Sequence, residues 1–143
     1  MPQENRVKLY LTALQFRGVD ASPKDEAPDE YGCADSVSKV INKAFPKVIK
    51  GSVSTAELFN QLNTSPLFKR MLNYLPGDIV ISPTGKGKTG KLPNGHVGIV
   101  SDHDKIMSNS SATGTWEENF TMTSWVKRYR EKGGYPIYIF RKL

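Results

Sequence analysis

Cys33 is the sole thiol in a chain of 143 residues, and two histidines, His96 and His103, accompany it. A thiol nucleophile needs a base within hydrogen-bond reach and a polar group that orients the base. Cys33 follows Gly32, which permits an unusual backbone turn. It precedes Val37, Val40, Ile41 and Ala44 at helical spacing, and Pro46 ends the run. The pattern predicts a helix over 33–45 with Cys33 at its N-terminus, where unpaired N–H groups and the helix dipole favour a thiolate. The competing reading of a lone cysteine is a small buried hydrophobe.

His96 opens the apolar run His96-Val97-Gly98-Ile99-Val100, a predicted strand, whereas His103 stands in the polar turn Asp102-His103-Asp104-Lys105. A sheet holds a side chain more precisely than a turn, so His96 is read as the base and His103 as a surface residue. A hairpin centred on 102–104 returns residues 108–110 beside 96–98. Asn109 is then the best-placed side chain to accept from the imidazole and fix its tautomer. Asp102 and Ser108 are weaker candidates for that role, and Asp35 is a capping or supporting group near Cys33. Tyr31 and Trp116 are expected to line a substrate groove, and Trp125 to pack in the core.

The elements that must position these residues change character midway. Residues 5–17 carry Val7, Tyr10, Leu11 and Leu14 at helical spacing, ended by Gly18. Residues 18–32 form an acidic loop, and Ser54-Thr55-Ala56-Glu57 opens a short helix through a capping box. Pro66 predicts a further helix over 67–74. After the turn Pro76-Gly77-Asp78, strands are expected at 79–81, 96–100 and 106–110. A short helix should span 122–130, and a last strand 135–140. Helices first and antiparallel strands second predict an α+β fold, a helical N-terminal half packed on a small antiparallel sheet, in one catalytic domain over 1–143.

Three motifs in order, Gly32-Cys33 before a helix, Pro76-Gly77-Asp78-Ile79-Val80, and Gly95-His96-Val97-Gly98-Ile99-Val100, resemble the NlpC-type and CHAP-type (cysteine, histidine-dependent amidohydrolase/peptidase) cell-wall hydrolases. The resemblance implies a papain-like fold, Cys33 as nucleophile, His96 as base and the polar residue on the next strand, here Asn109, as third member. It implies peptidoglycan amide bonds as substrates. Gly32-Cys33-Ala34-Asp35 departs from the Asp-Cys-Ser-Gly of NlpC-type enzymes and from the Gln-Cys frequent in CHAP-type ones, so both branches and both amidase and endopeptidase activities stay open. In the expected mechanism a Cys33 thiolate, its pKa lowered by His96 and the helix end, attacks the carbonyl; backbone N–H groups hold the oxyanion and the imidazolium protonates the leaving amine. Other papain-like thiol chemistry (a deamidase or acyltransferase), or an inactive wall-binding module, are the alternatives.

Composition narrows the remainder. The net charge of +6 suits an anionic partner, here bacterial peptidoglycan. The lysines of 85–91 and the cations of 127–132 come without aromatic interleaving or a nucleic-acid motif, so nucleic acid is not expected. A single cysteine excludes a paired-cysteine zinc site, and Asp25, Asp29 and Asp35 lack the spacing of a calcium loop; neither metal nor cofactor is expected. Gly85-Lys86-Gly87-Lys88-Thr89 lacks the upstream glycine and the following helix of a phosphate loop. No apolar run is long enough for a membrane helix, and the N-terminus has no signal-peptide core. The expectation is a monomer made in the cytoplasm. It would reach the wall after release through a pore-forming protein, as a phage-type lysin does, or by a dedicated export system.

Overall fold

The computed structural model describes residues 2–19, 32–51, 54–90, 94–110 and 113–143. Helices α1 (Pro2–Gln15), α2 (Gly32–Ala44) and α3 (Thr55–Thr64) come first. The strands are β1 (Phe68–Met71), β2 (Ile79–Ser82), β3 (His96–Val100), β4 (Lys105–Asn109), β5 (Trp116–Thr121) and β6 (Tyr138–Lys142). Between β5 and β6 a helical turn, α4 (Met122–Trp125), widens into a π-helical segment, Val126–Lys132. The strands form one six-stranded antiparallel sheet in the order β1-β6-β2-β3-β4-β5. The α+β class expected from the pattern is the fold observed.

Alternation along the strands divides the core between the two faces of the sheet. Ile79, Ile81, Val97, Ile99, Met107 and Phe140 pack with Leu9, Ala13, Val37, Val40, Ile41 and Leu58 of the helices. Val80, Val100, Ile106 and Ile139 face the other way, onto Trp125, Tyr129 and Tyr135. Each fully buried Val, Leu, Ile or Phe contributes about 1.5–3 kcal/mol of transfer free energy. α2 behaves as its spacing predicts, since Val37, Val40, Ile41 and Ala44 are all buried. Ser54 caps α3 by accepting from the Glu57 N–H at 3.3 Å.

Several expectations are corrected. α1 buries Leu9 and Ala13, with Tyr10 and Leu14 packed only partly, and leaves Val7 and Leu11 exposed; its apolar stripe is rotated from the predicted one. The expected helix over 67–74 contains strand β1 instead, because Phe68–Met71 pair with Lys142–Ile139 across the sheet. Local propensity loses to that non-local pairing. β5 is an additional strand, and the last strand starts at Tyr138 rather than at 135. The turn before β2 is anchored by Asp78. Its fully buried carboxylate accepts two hydrogen bonds from Arg141, at 2.6 and 2.8 Å, and one from the Leu75 N–H at 2.8 Å.

Candidate active site

Cys33 lies in the first turn of α2, 2% exposed, in the core cluster between the helices and the sheet. His96 is the first residue of β3, opposite Ser82 of β2. The β3–β4 register pairs Ile99 with Met107 and Val100 with Ile106. Continued along the strands, it brings 108–110 alongside 96–98, the return the hairpin reading requires. Gly95, just before His96, is demanded by packing: a Cβ there would lie 1.8 Å from the Ser82 carbonyl oxygen.

The group found on the His96 ring is Ser108. Its Oγ lies 2.9 Å from Nε2 and donates its own proton to Asn119 Oδ1 at 2.6 Å. Because that proton is committed to Asn119, Ser108 accepts from Nε2–H, and Nδ1 is left as the basic nitrogen. Ser108 and Asn109 are neighbours on a strand, so their side chains leave opposite faces. Asn109, buried at the end of β4 and paired with Trp116, leaves from the face away from that bond. The hydrogen bond to the imidazole expected of Asn109 is made by Ser108, the weaker candidate on sequence grounds.

Asn119 was beyond sequence reasoning, and the reason is geometric. The β4–β5 register slips between Ile106 and Ser108: Ile106 faces Phe120, but Ser108 faces Glu117. The bulge inserts an extra residue in β5 and breaks its alternation. Glu118 thus turns to Ser101 and Arg17, while the adjacent Asn119 and Phe120 both turn towards Ser108 and His96.

Around the ring stand Phe120, Trp125 and Tyr129, at centroid distances of 5.5, 5.2 and 5.9 Å, with Tyr129 stacked at 12°. Trp125 is fastened below by its indole N–H, which donates to Ser82 Oγ at 3.1 Å. It is a core residue as expected, and also a wall of the histidine site. Burial among these rings lowers the His96 pKa to about 3, and the Arg128 guanidinium pushes it the same way. The imidazole is therefore neutral at neutral pH, rather than one half of a resting ion pair with a thiolate. Burial also raises Tyr129 to about 12, against the lowering influence of Arg128, while the charges of Cys33 and Tyr135 add to the rise. The structure does not bring Cys33 and His96 together: Cys33 packs in the cluster on the helical face of the sheet, and the His96 ring among Trp125 and Tyr129 on the other.

Trp116 is corrected from groove to core: it is fully buried, and its indole N–H donates to the Ala13 carbonyl at 3.0 Å. Tyr31, Asp25 and Asp29 lie outside the described residues. Asp35 pairs with Lys39 at 2.8 Å. His103 is exposed, in the hairpin turn, with a left-handed φ of 58°. Among the described residues no cluster of His, Cys, Asp and Glu is arranged to hold a metal ion, and no helix is long and apolar enough to cross a membrane.

No protein-family model matches the chain, and no curated protein does. Among solved structures, a chain of the type VI native effector–immunity complex Tae3–Tai3 from Ralstonia pickettii is similar, with a TM-score of 0.58. The likeness covers 94% of this chain and 98% of that one at 17% identity. What the two share is the fold.

Proposed function

We propose that this protein is a cysteine hydrolase that cuts an amide bond of bacterial peptidoglycan, with Cys33 as nucleophile and His96 as base. The observation that carries the reading is the relay from Nε2–H to Ser108 to Asn119, which leaves Nδ1 of a neutral imidazole as proton acceptor. A lone thiol in the first turn of a helix supplies the candidate nucleophile.

The reaction requires the start of α2 and the head of β3 to close around the substrate, so that the Cys33 S–H proton passes to His96 Nδ1 as sulfur attacks the amide carbonyl and charge separates during attack rather than before it. Backbone N–H groups at the start of α2 stabilise the oxyanion; one such donor is typically worth about 3 kcal/mol. The C–N bond breaks as the imidazolium returns its proton to the leaving amine. Water, deprotonated by His96, then releases the acyl group and restores the thiol. Ser108 and Asn119 hold the ring through each step.

The net charge of +6 favours a polyanionic wall. Fold likeness to a chain from a type VI effector–immunity complex favours an exported effector over a lysin. The test is digestion of purified wall material by wild-type and Cys33→Ala protein, with mass spectrometry of the fragments. Wild-type protein should release fragments with a newly formed amino or carboxyl terminus and the variant none. Equal release by both would end the catalytic reading, and the fragment masses name the bond.

A further inference from the structure

The strand that carries His96 is tied to a helix through one hydroxyl. Thr84 follows β2 and Gly95 precedes β3, at the two ends of the 85–94 connection. The Gly95 N–H donates to Thr84 Oγ1 at 3.0 Å and closes the base of that connection. Thr84 is held in turn by Thr55, the first residue of α3, which is buried. Thr55 Oγ1 accepts from the Thr84 N–H at 2.9 Å, and the two hydroxyls share a hydrogen bond of 2.8 Å. The chain of bonds therefore runs from the start of α3 through Thr84 to the residue before His96. α3 is itself fixed by Leu58, Phe59 and Leu62, which are buried in the core that it shares with α2.

Gly95 is buried, and its backbone is pressed against 82–84. The Cβ position there lies 1.8 Å from the Ser82 carbonyl oxygen and 2.7 Å from the Thr84 nitrogen. A buried N–H that loses its acceptor is unfavourable, so removing the Thr84 hydroxyl favours movement of the strand head. Contact with Ser82 blocks movement inward; relief carries Gly95 outward and His96 with it. The 2.9 Å bond between the ring and Ser108 tolerates little of that movement. We propose that Thr84 is a positioning residue for His96, its hydroxyl holding the head of β3 where Nε2–H meets Ser108. The kinetic consequence rests on the proposed hydrolase function; the orientation of the ring does not.

The test is nitrogen-15 NMR of protein labelled at histidine, with His103→Gln to separate the two rings. Wild-type His96 should show a single Nε2–H tautomer at neutral pH. Thr84→Val keeps the shape and removes the hydroxyl; Thr84→Ala removes it and asks for no new packing. Both should show mixed tautomers, with ring N–H exchange about tenfold faster than in wild type. Thr84→Ser should restore the single tautomer. Leu62→Val, which loosens α3 without touching the hydroxyls, should leave it unchanged. On wall peptide, kcat of Thr84→Val should fall about tenfold with KM unchanged. A single tautomer in both hydroxyl-free variants, no rescue by serine, the same mixture in Leu62→Val, or an unchanged kcat where the ring has moved would each overturn the proposal. A ring that responds to Thr84 in a protein that releases no wall fragments would defeat the hydrolase reading and leave the positioning role standing.

Discussion

At the scale of single residues, the division between Ser108 and Asn109 is open to direct measurement. Ser108→Ala breaks the relay that fixes the imidazole. It should lower kcat on wall peptide by about 10²-fold and stability by only about 1 kcal/mol. Asn109→Ala, altering a buried side chain on the opposite face, should act mainly on stability. Parallel kinetics and urea titrations decide between them, and a larger kcat loss at Asn109 would restore the sequence assignment. His96 carries a second prediction. Its folded pKa, about 3, lies below the ordinary 6.5, so the unfolded chain binds the proton more readily. The stabilisation is complete above pH 6.5 and is lost as pH falls towards 3. Denaturant titrations across that window should show the slope, and His96→Phe, which keeps an aromatic ring among its neighbours, should remove that part of it. The placement of Cys33 at a helix start and of His96 at a strand head was legible because both are local patterns. Ser108 was legible only as a lesser option, because the hairpin register leaves neighbouring positions to be chosen by face.

Among the elements, α2 was legible because its buried residues recur at one local period. β1 was not: Pro66 favours a helix start, and the strand exists through partners in Lys142–Ile139 at the far end of the chain. β5 was hidden differently, since Glu117, Glu118 and Asn119 read as polar loop, and its bulge removes the alternation that marks a strand. The Gly-His-Val-Gly motif of β3 has a packing cause at both glycines. A Cβ on Gly98 would lie 2.6 Å from the Met107 carbonyl oxygen and 2.7 Å from Ile106 Cγ2. Gly98→Ala should therefore force β3 and β4 apart, cost about 1–3 kcal/mol, and lower activity by shifting His96 from Ser108. Thermal melts and kcat measure the two effects, and full activity in that variant would show that the strand pair tolerates the shift.

Over the whole molecule, the helical and sheet halves are clasped at one corner. Arg6 donates to the Pro76 carbonyl at 2.5 Å, Gly77 N–H to the Val100 carbonyl at 2.8 Å, and Arg141 to Asp78. The Asp78 carboxylate is fully buried, so Arg141→Ala leaves a charge without its counterion. It should lower unfolding free energy by about 3–5 kcal/mol, as read from denaturant titration. A change below 1 kcal/mol would mean that water or another cation replaces the guanidinium. Pro76-Gly77-Asp78 is accordingly framework: the turn joins α1, β2 and β6 and takes no part in the chemistry proposed at His96.

The slipped register of β5 makes the distance along the chain as consequential there as the residues themselves. Removing Glu118 would return the strand to strict alternation, so Asn119 and Phe120 would have to part company, one leaving Ser108 or the other leaving the imidazole. Related proteins that keep this relay should vary in length elsewhere before they vary between Trp116 and Thr121.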